Sequence, residues 1–162
     1  MQRITTFLWY DQEAEAAAKF YCSIFKSSKI LKTERYKAEA GPFPKGGVMT
    51  VQFELDGQEF IAMNGGPQFK FTEAISLAIA CKDQKEIDYY WKALLAGGGE
   101  ESMCGWLKDK YGLSWQVVPK GMDELFTDSD PERAQRAWKA MMEMRKLDIA
   151  TLRSAADGVP AP

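Results

Sequence analysis

One local order is written twice in this chain. Residues 4–10, aromatic and β-branched, read as a strand, and Asp11-Gln12 follows where a helix should begin. Ile75 to Cys81 read as a second such strand, with Asp83-Gln84 in the equivalent place. Asp11 offers an N-cap oxygen to a helix whose Ala14, Ala17, Ala18, Tyr21, Ile24 and Phe25 share one face. Asp83, with Glu86 placed for a capping box, offers the same to a helix with Ile87, Tyr90, Trp91, Leu94 and Leu95 as its apolar stripe. Three strands are expected after each helix, so the order is βαβββ, used twice.

The strands carry their own signals. Met49, Val51, Phe53 and Leu55 alternate with Thr50, Gln52 and Glu54, the period of a half-buried antiparallel strand. Asp56-Gly57 then marks a tight hairpin, because both residues tolerate positive φ, and Glu59 to Met63 returns. In the first half, Lys29 to Lys37 is expected as a strand, with Ile30 its clearest inward residue. In the second, Glu100 to Leu107 and Leu113 to Val118 are expected as strands about the turn Asp109 to Gly112. The fold class is α+β. Two βαβββ modules, residues 4–66 and 75–119, would form a cupped, antiparallel-rich sheet within one domain, 1–120. Residues 121–157 would be a C-terminal helical extension. Asp130-Pro131-Glu132 is a helix start there, and Ile149 to Ala156 extends or restarts the helix.

Charge and residue usage exclude several functions. Lys and Arg number 21 against 23 Asp and Glu, so no basic field draws nucleic acid, and none is expected as a partner. No apolar run approaches the roughly 20 residues that span a bilayer, so no membrane partner is expected. There is no histidine, which removes Ser-His-Asp and Cys-His catalysis and His-based zinc sites. Cys22, Cys81 and Cys104 are far apart and form no CxxC pair, which fits a reducing cytoplasm.

Four segments carry a family resemblance: FLWYDQEAEAAAKFYCSIF at 7–25, MTVQFELDGQEFIAMNGGPQFKFTEAIS at 49–76, GGEESMCGWLKDKYGLSWQVVP at 98–119 and AMMEMRKLDIATL at 140–152. With the doubled βαβββ order, they resemble the vicinal oxygen chelate superfamily of glyoxalases, bleomycin-resistance proteins and extradiol dioxygenases. Within it they resemble the PhnB-like branch labelled 3-demethylubiquinone-9 3-methyltransferase. The resemblance implies a glyoxalase-like cup with a ligand pocket. In the metal-dependent members it implies four ligands, usually His, Gln or Glu, on the first and last strands of each half. Those positions fall near Thr6, near Ala62 or Met63, near Ser76, and at Gln116, where the family strand often carries Glu. Neutral amide and hydroxyl groups do not offset the dehydration of a divalent ion, so neither a metal nor another cofactor is expected. The methyltransferase label implies an adenosylmethionine site. The glycines at 46–47, 65–66 and 97–99 do not stand in the strand-to-helix turn that such a site uses.

The residues expected to contact a ligand are Thr6, Asn64, Ser76, Cys104, Trp106 and Gln116. Cys104 reads either as a nucleophile activated by Lys108 or Lys110, or as a small residue on a buried strand. Asn64-Gly65-Gly66 reads as an amide cradle or as a strand-ending turn, and Lys108-Asp109-Lys110 as a solvated hairpin tip. Phe69 and Phe71 lie on an extended connection that could fold over the cup as a lid, and Glu73 reads either as a solvated side chain or as the isolated carboxylate best placed for acid–base work. The expected function is binding of a small organic molecule by a metal-free, cytoplasmic homodimer, reaction unspecified. The alternatives are the labelled methyltransferase, a non-catalytic drug-sequestering protein, and an interaction protein whose cup is filled by its own side chains.

Overall fold

The computed structural model describes residues 3–160, and the chain divides into two compact units, Met1–Phe71 and Thr72–Pro162. The first holds β1 (Thr6–Tyr10), α1 (Ala14–Ile24), β2 (Ser28–Arg35), β3 (Val48–Leu55) and β4 (Gln58–Asn64). They form a four-stranded sheet in the order β1-β4-β3-β2. β1 runs parallel to β4, and the other neighbours are antiparallel.

Register decides which side chains share a side. Leu8 lies opposite Ala62, and Ala62 opposite Val51. Alternation therefore gathers Leu8, Tyr10, Val51, Phe53, Leu55, Phe60 and Ala62 on one side, and all are buried. α1 covers that side with Ala14, Ala17, Ala18 and Tyr21. The Tyr21 ring stacks on Phe53, and its hydroxyl meets that of Tyr10 at 3.1 Å. Asp56 and Gly57 both take positive φ at the β3–β4 hairpin, the geometry a two-residue turn needs.

Two local expectations are corrected here. Asp11 does not cap α1. The cap residue is Glu13, without a side-chain bond, and the amide of Ala14 donates instead to Asn64 Oδ1 at 2.9 Å. The parallel pairing of β1 with β4 sets Asn64 opposite Tyr10, at the mouth of the helix. Ile30 is 38% exposed rather than inward, since β2 is the edge strand of its sheet.

The second unit repeats the arrangement with β5 (Ser76–Cys81), α2 (Gln84–Leu95), β6 (Glu100–Glu101), β7 (Trp106–Lys108) and β8 (Ser114–Pro119). Its strand order is β5-β8-β7-β6, again with first strand parallel to last. Asp83 caps α2 by accepting from Glu86 N at 2.9 Å. Leu77, Trp115, Leu107 and Glu101 lie across one another in register. Trp91 of α2 donates to Glu101 Oε1 at 3.0 Å, so α2 lies on this side. The expected strand Glu100 to Leu107 is broken. Cys104 sits between β6 and β7 at φ 60°, and the amides of Cys104 and Gly105 donate to Met144 O and Arg145 O rather than to a strand.

Those carbonyls belong to the C-terminal extension, which packs within the second unit as α3 (Met122–Phe126), α4 (Pro131–Met142) and α5 (Ile149–Asp157). Asp148 caps α5 through Thr151 N at 2.7 Å, so the helix restarts rather than continues. Met141, Leu147 and Leu152 form its core, with Cys104, Val118 and Met144 packed against it. Gln84 ties this core to α2, donating to Leu147 O at 3.0 Å and accepting from Ile149 N at 2.9 Å. Among the described residues no helix is long and apolar enough to cross a membrane.

Candidate functional site

The side of the second sheet away from α2 carries three of the six expected residues. Gln116 pairs across with Ala78 on one neighbour and Trp106 on the other. Ser114, two residues earlier, pairs with Ser76 and Lys108. Alternation puts all six of these side chains on one side, and buried Trp115 and Val117 on the other. Gln116 Nε2 donates to Ser76 Oγ at 2.8 Å, which leaves the amide oxygen to accept from elsewhere. Trp106 is half-buried directly beside it.

The charge on this side is neutralised locally. Lys108 forms an ion pair with Glu73. Its hydrogen bond holds the Glu73 carboxyl below the usual carboxylate range, and Glu73 in turn raises the lysine. A carboxylate held ionised in this way is a weak base, which argues against the acid–base role considered for Glu73.

Cys104 does not join this row. Its Sγ lies 3.5 Å from Met142 Sδ, in the turn that meets the C-terminal helices. Burial pushes its thiol up, and neither lysine lowers it; the Lys110 ammonium lies 5.3 Å from the Tyr111 ring centroid. Burial, then the carboxylates of Glu86 and Asp83, push Cys81 up to about 12. Iodoacetamide should therefore label Cys104 slowly, with a rate rising steadily from pH 7 to 9, and leave Cys81 untouched until the protein unfolds. Peptide mass spectrometry against pH checks both.

In the first unit the two expected residues have structural surroundings. Thr6 belongs to the same alternation as Leu8 and Tyr10, so it stands on the α1 side. Phe7, Trp9 and Met63 take the opposite side, which places Met63 there and Ala62 beneath the helix. Asn64 is buried, and its amide is committed at both ends: Oδ1 to Ala14 N, and Nδ2 to Val48 O at 3.0 Å. The amides of Gly65 and Gly66 donate to Tyr10 O and Asp11 O. Gly66 O accepts from Trp9 Nε1 at 2.9 Å. Asn64-Gly65-Gly66 is thus a stitch joining β4, β1 and α1, with no amide left over for a ligand. Phe69 and Phe71 set their ring edges against Trp9 and Tyr10 at 5.0 and 5.3 Å, so the connection packs on the edge strand β1.

Lys108-Asp109-Lys110 is corrected too. Asp109 is 3% exposed, and its carboxylate accepts from Tyr111 N, Leu113 N and Trp115 Nε1 at 2.8, 3.2 and 2.9 Å. It is the internal brace of the β7–β8 turn. The tryptophan six residues further on, in KDKYGLSW, was the available signal, since a buried indole N–H needs an acceptor.

The donors do not fit a divalent metal. In the second sheet the two inherited positions hold a serine and a glutamine already bonded to each other. In the first they hold Thr6 on the helix side and apolar Ala62 or Met63. Among the described residues no group of three or more His, Cys, Asp or Glu could hold an ion. Nor does either strand-to-helix junction, residues 11–13 and 82–83, contain the glycine that a nucleotide-cradling turn requires.

Comparison with known proteins accords with the doubled topology. A putative 3-demethylubiquinone-9 3-methyltransferase, PhnB protein, from Bacillus cereus is 39% identical and superposes with a TM-score of 0.65, covering 73% of this chain and 99% of its own. PA1353 from Pseudomonas aeruginosa has a TM-score of 0.62 at 15% identity, over 74% of this chain and 98% of its own. The fosfomycin resistance protein FosX from Listeria monocytogenes, in complex with Mn(II) and sulfate, has a TM-score of 0.53 at 14% identity, over 76% and 93%. The last two show the fold alone. A comparison with curated proteins gives no match. The model of the family described as 3-demethylubiquinone-9 3-methyltransferase matches residues 2–118, and with the shared βαβββ topology this places the chain in that PhnB-like family of the vicinal oxygen chelate fold.

Proposed function

We propose that the protein binds a small organic molecule without a metal, on the side of the second sheet that carries Ser76, Trp106 and Gln116. The observation that supports this most is the neutral Gln116–Ser76 hydrogen bond with a half-buried indole beside it. An amide and an indole suit a flat, polar organic guest, whereas a cation needs charged oxygens or imidazole. Purified protein should contain well under one equivalent of divalent metal by elemental analysis, and manganese should titrate into it with no saturable heat. One tightly held ion, lost on Gln116→Leu, would overturn the proposal.

Methyl transfer is the second reading, favoured by the family description. Calorimetry with S-adenosylmethionine tests it: the glycine-free junctions lead us to expect no binding at micromolar concentration. We further propose a cytoplasmic homodimer. The free thiols Cys22, Cys81 and Cys104 support the compartment. The exposed Trp138 and Met142 on α4 support self-association. Light scattering on eluted protein should read twice the monomer mass.

A further inference from the structure

The side of the second sheet that carries Gln116 contains one group that neither the fold nor the proposed contacts explain. Ser114 is 1% exposed, and its hydroxyl has no hydrogen-bond partner. A hydroxyl carries one donor and two acceptor positions, and a native protein rarely leaves a buried one unsatisfied. Register places it between Ser76 and Lys108, one pleat repeat from Gln116. Ser76 is already bonded to Gln116, and Lys108 to Glu73. Neither the hydroxyl's strand neighbours nor any other described group supplies the missing partner.

We infer that Ser114 is the polar end of the ligand site, and that the ligand is an uncharged aromatic molecule bearing a hydroxyl or carbonyl group. The inference rests on the proposed binding surface and deepens it. Three features fix the chemical class. The group that reaches Ser114 must be small, because the serine is covered. It must be neutral: Lys108 is neutralised by Glu73 and also feels Glu100, its partner in the pairing of β6 with β7. An anion there would face carboxylates without a free cation to hold it. The body of the ligand is flat, to lie on the Trp106 indole beside Gln116.

The test is a tryptophan-fluorescence titration of wild type and Ser114→Ala with 4-hydroxyacetophenone, and of wild type with its anionic counterpart 4-hydroxybenzoate. The neutral compound should bind the more tightly of the two. Ser114→Ala should weaken it about fivefold or more, while the melting temperature stays unchanged or rises, because the substitution removes an unsatisfied buried hydroxyl. Tighter binding of the anion than of the neutral compound would overturn the inference. So would equal affinity of the two proteins, the result expected if a resident water satisfies Ser114. Failure of both compounds to bind would also overturn it, yet leave small-molecule binding standing if other compounds bind in a Gln116-dependent way. Loss of all such binding removes both.

Discussion

Asp109→Ala should destabilise the protein by about 3 kcal/mol or more, since it strips a buried cluster of its acceptor. Three donors converge on that carboxylate, and one of them, the Trp115 indole, is itself buried. The substitution removes the carboxylate acceptor of all three N–H groups in a site that water reaches poorly, and it frees the turn that joins β7 to β8. Asp109→Asn should fall between the two: one oxygen still accepts, but an NH2 group then faces a donor. Urea unfolding followed by tryptophan fluorescence measures both. A loss under about 1 kcal/mol for the alanine would show that the turn does not depend on the carboxylate. Because β7 and β8 carry Trp106 and Gln116, the same substitution should also weaken ligand binding.

Gly65→Val should produce the second large loss, about 3 kcal/mol, by overpacking. A Cβ on Gly65 would lie 2.2 Å from Cζ2 of Trp9. The indole cannot step aside freely, since Nε1 is bonded to Gly66 O and Phe69 packs on its ring. The backbone at Gly65 does not take positive φ, so the requirement for glycine here is purely steric. The adjacent Gly66 does take φ 92°, and valine there should fail for conformational reasons as well. A red shift of the Trp9 emission on Gly65→Val would report the displaced ring. An unchanged melting temperature and spectrum would contradict the account of Asn64-Gly65-Gly66 as a stitch.

The sequence carried the repeat clearly because each module states its own periods. Both the alternation from Met49 to Leu55 and the stripe Ile87, Tyr90, Trp91, Leu94, Leu95 depend on local order; Val51, Phe53 and Leu55 of the first and Ile87, Trp91 and Leu94 of the second are buried, the others partly so. The identical strand order of the two sheets follows from that repeat. What local order could not supply was the partner of each polar group. Asp11 resembles a cap in sequence, yet Asn64, brought over by the parallel pairing of β1 with β4, does the capping. Asp109 resembles a solvated tip between two lysines, and only the folded turn shows the indole it holds.

The candidate site divides along the same line. The side of Gln116 was legible because β8 alternates it with Trp115, whereas the side of Ser76 comes from the pairing of β5 with β8, and the bond between the two is not a donor set that suits a cation. Thr6 stands on the α1 side of its sheet, and a placement near it turns on a single residue, since one step along a strand exchanges the two sides. Cys104 was read as a strand residue because nothing local predicts that the C-terminal helices would take its backbone amide. Ser114 escaped notice altogether. A serine in an apolar strand carries no signal until the missing hydrogen bond is seen.

The central claim, organic binding without a metal on the Gln116 side, is tested most directly by one screen. A small-molecule library is titrated by tryptophan fluorescence against wild type and Gln116→Leu, each with excess EDTA and with manganese. The account predicts compounds whose affinity is the same in EDTA and in manganese and falls about tenfold in Gln116→Leu. Binding that appears only with the metal, or that is indifferent to Gln116, would contradict it.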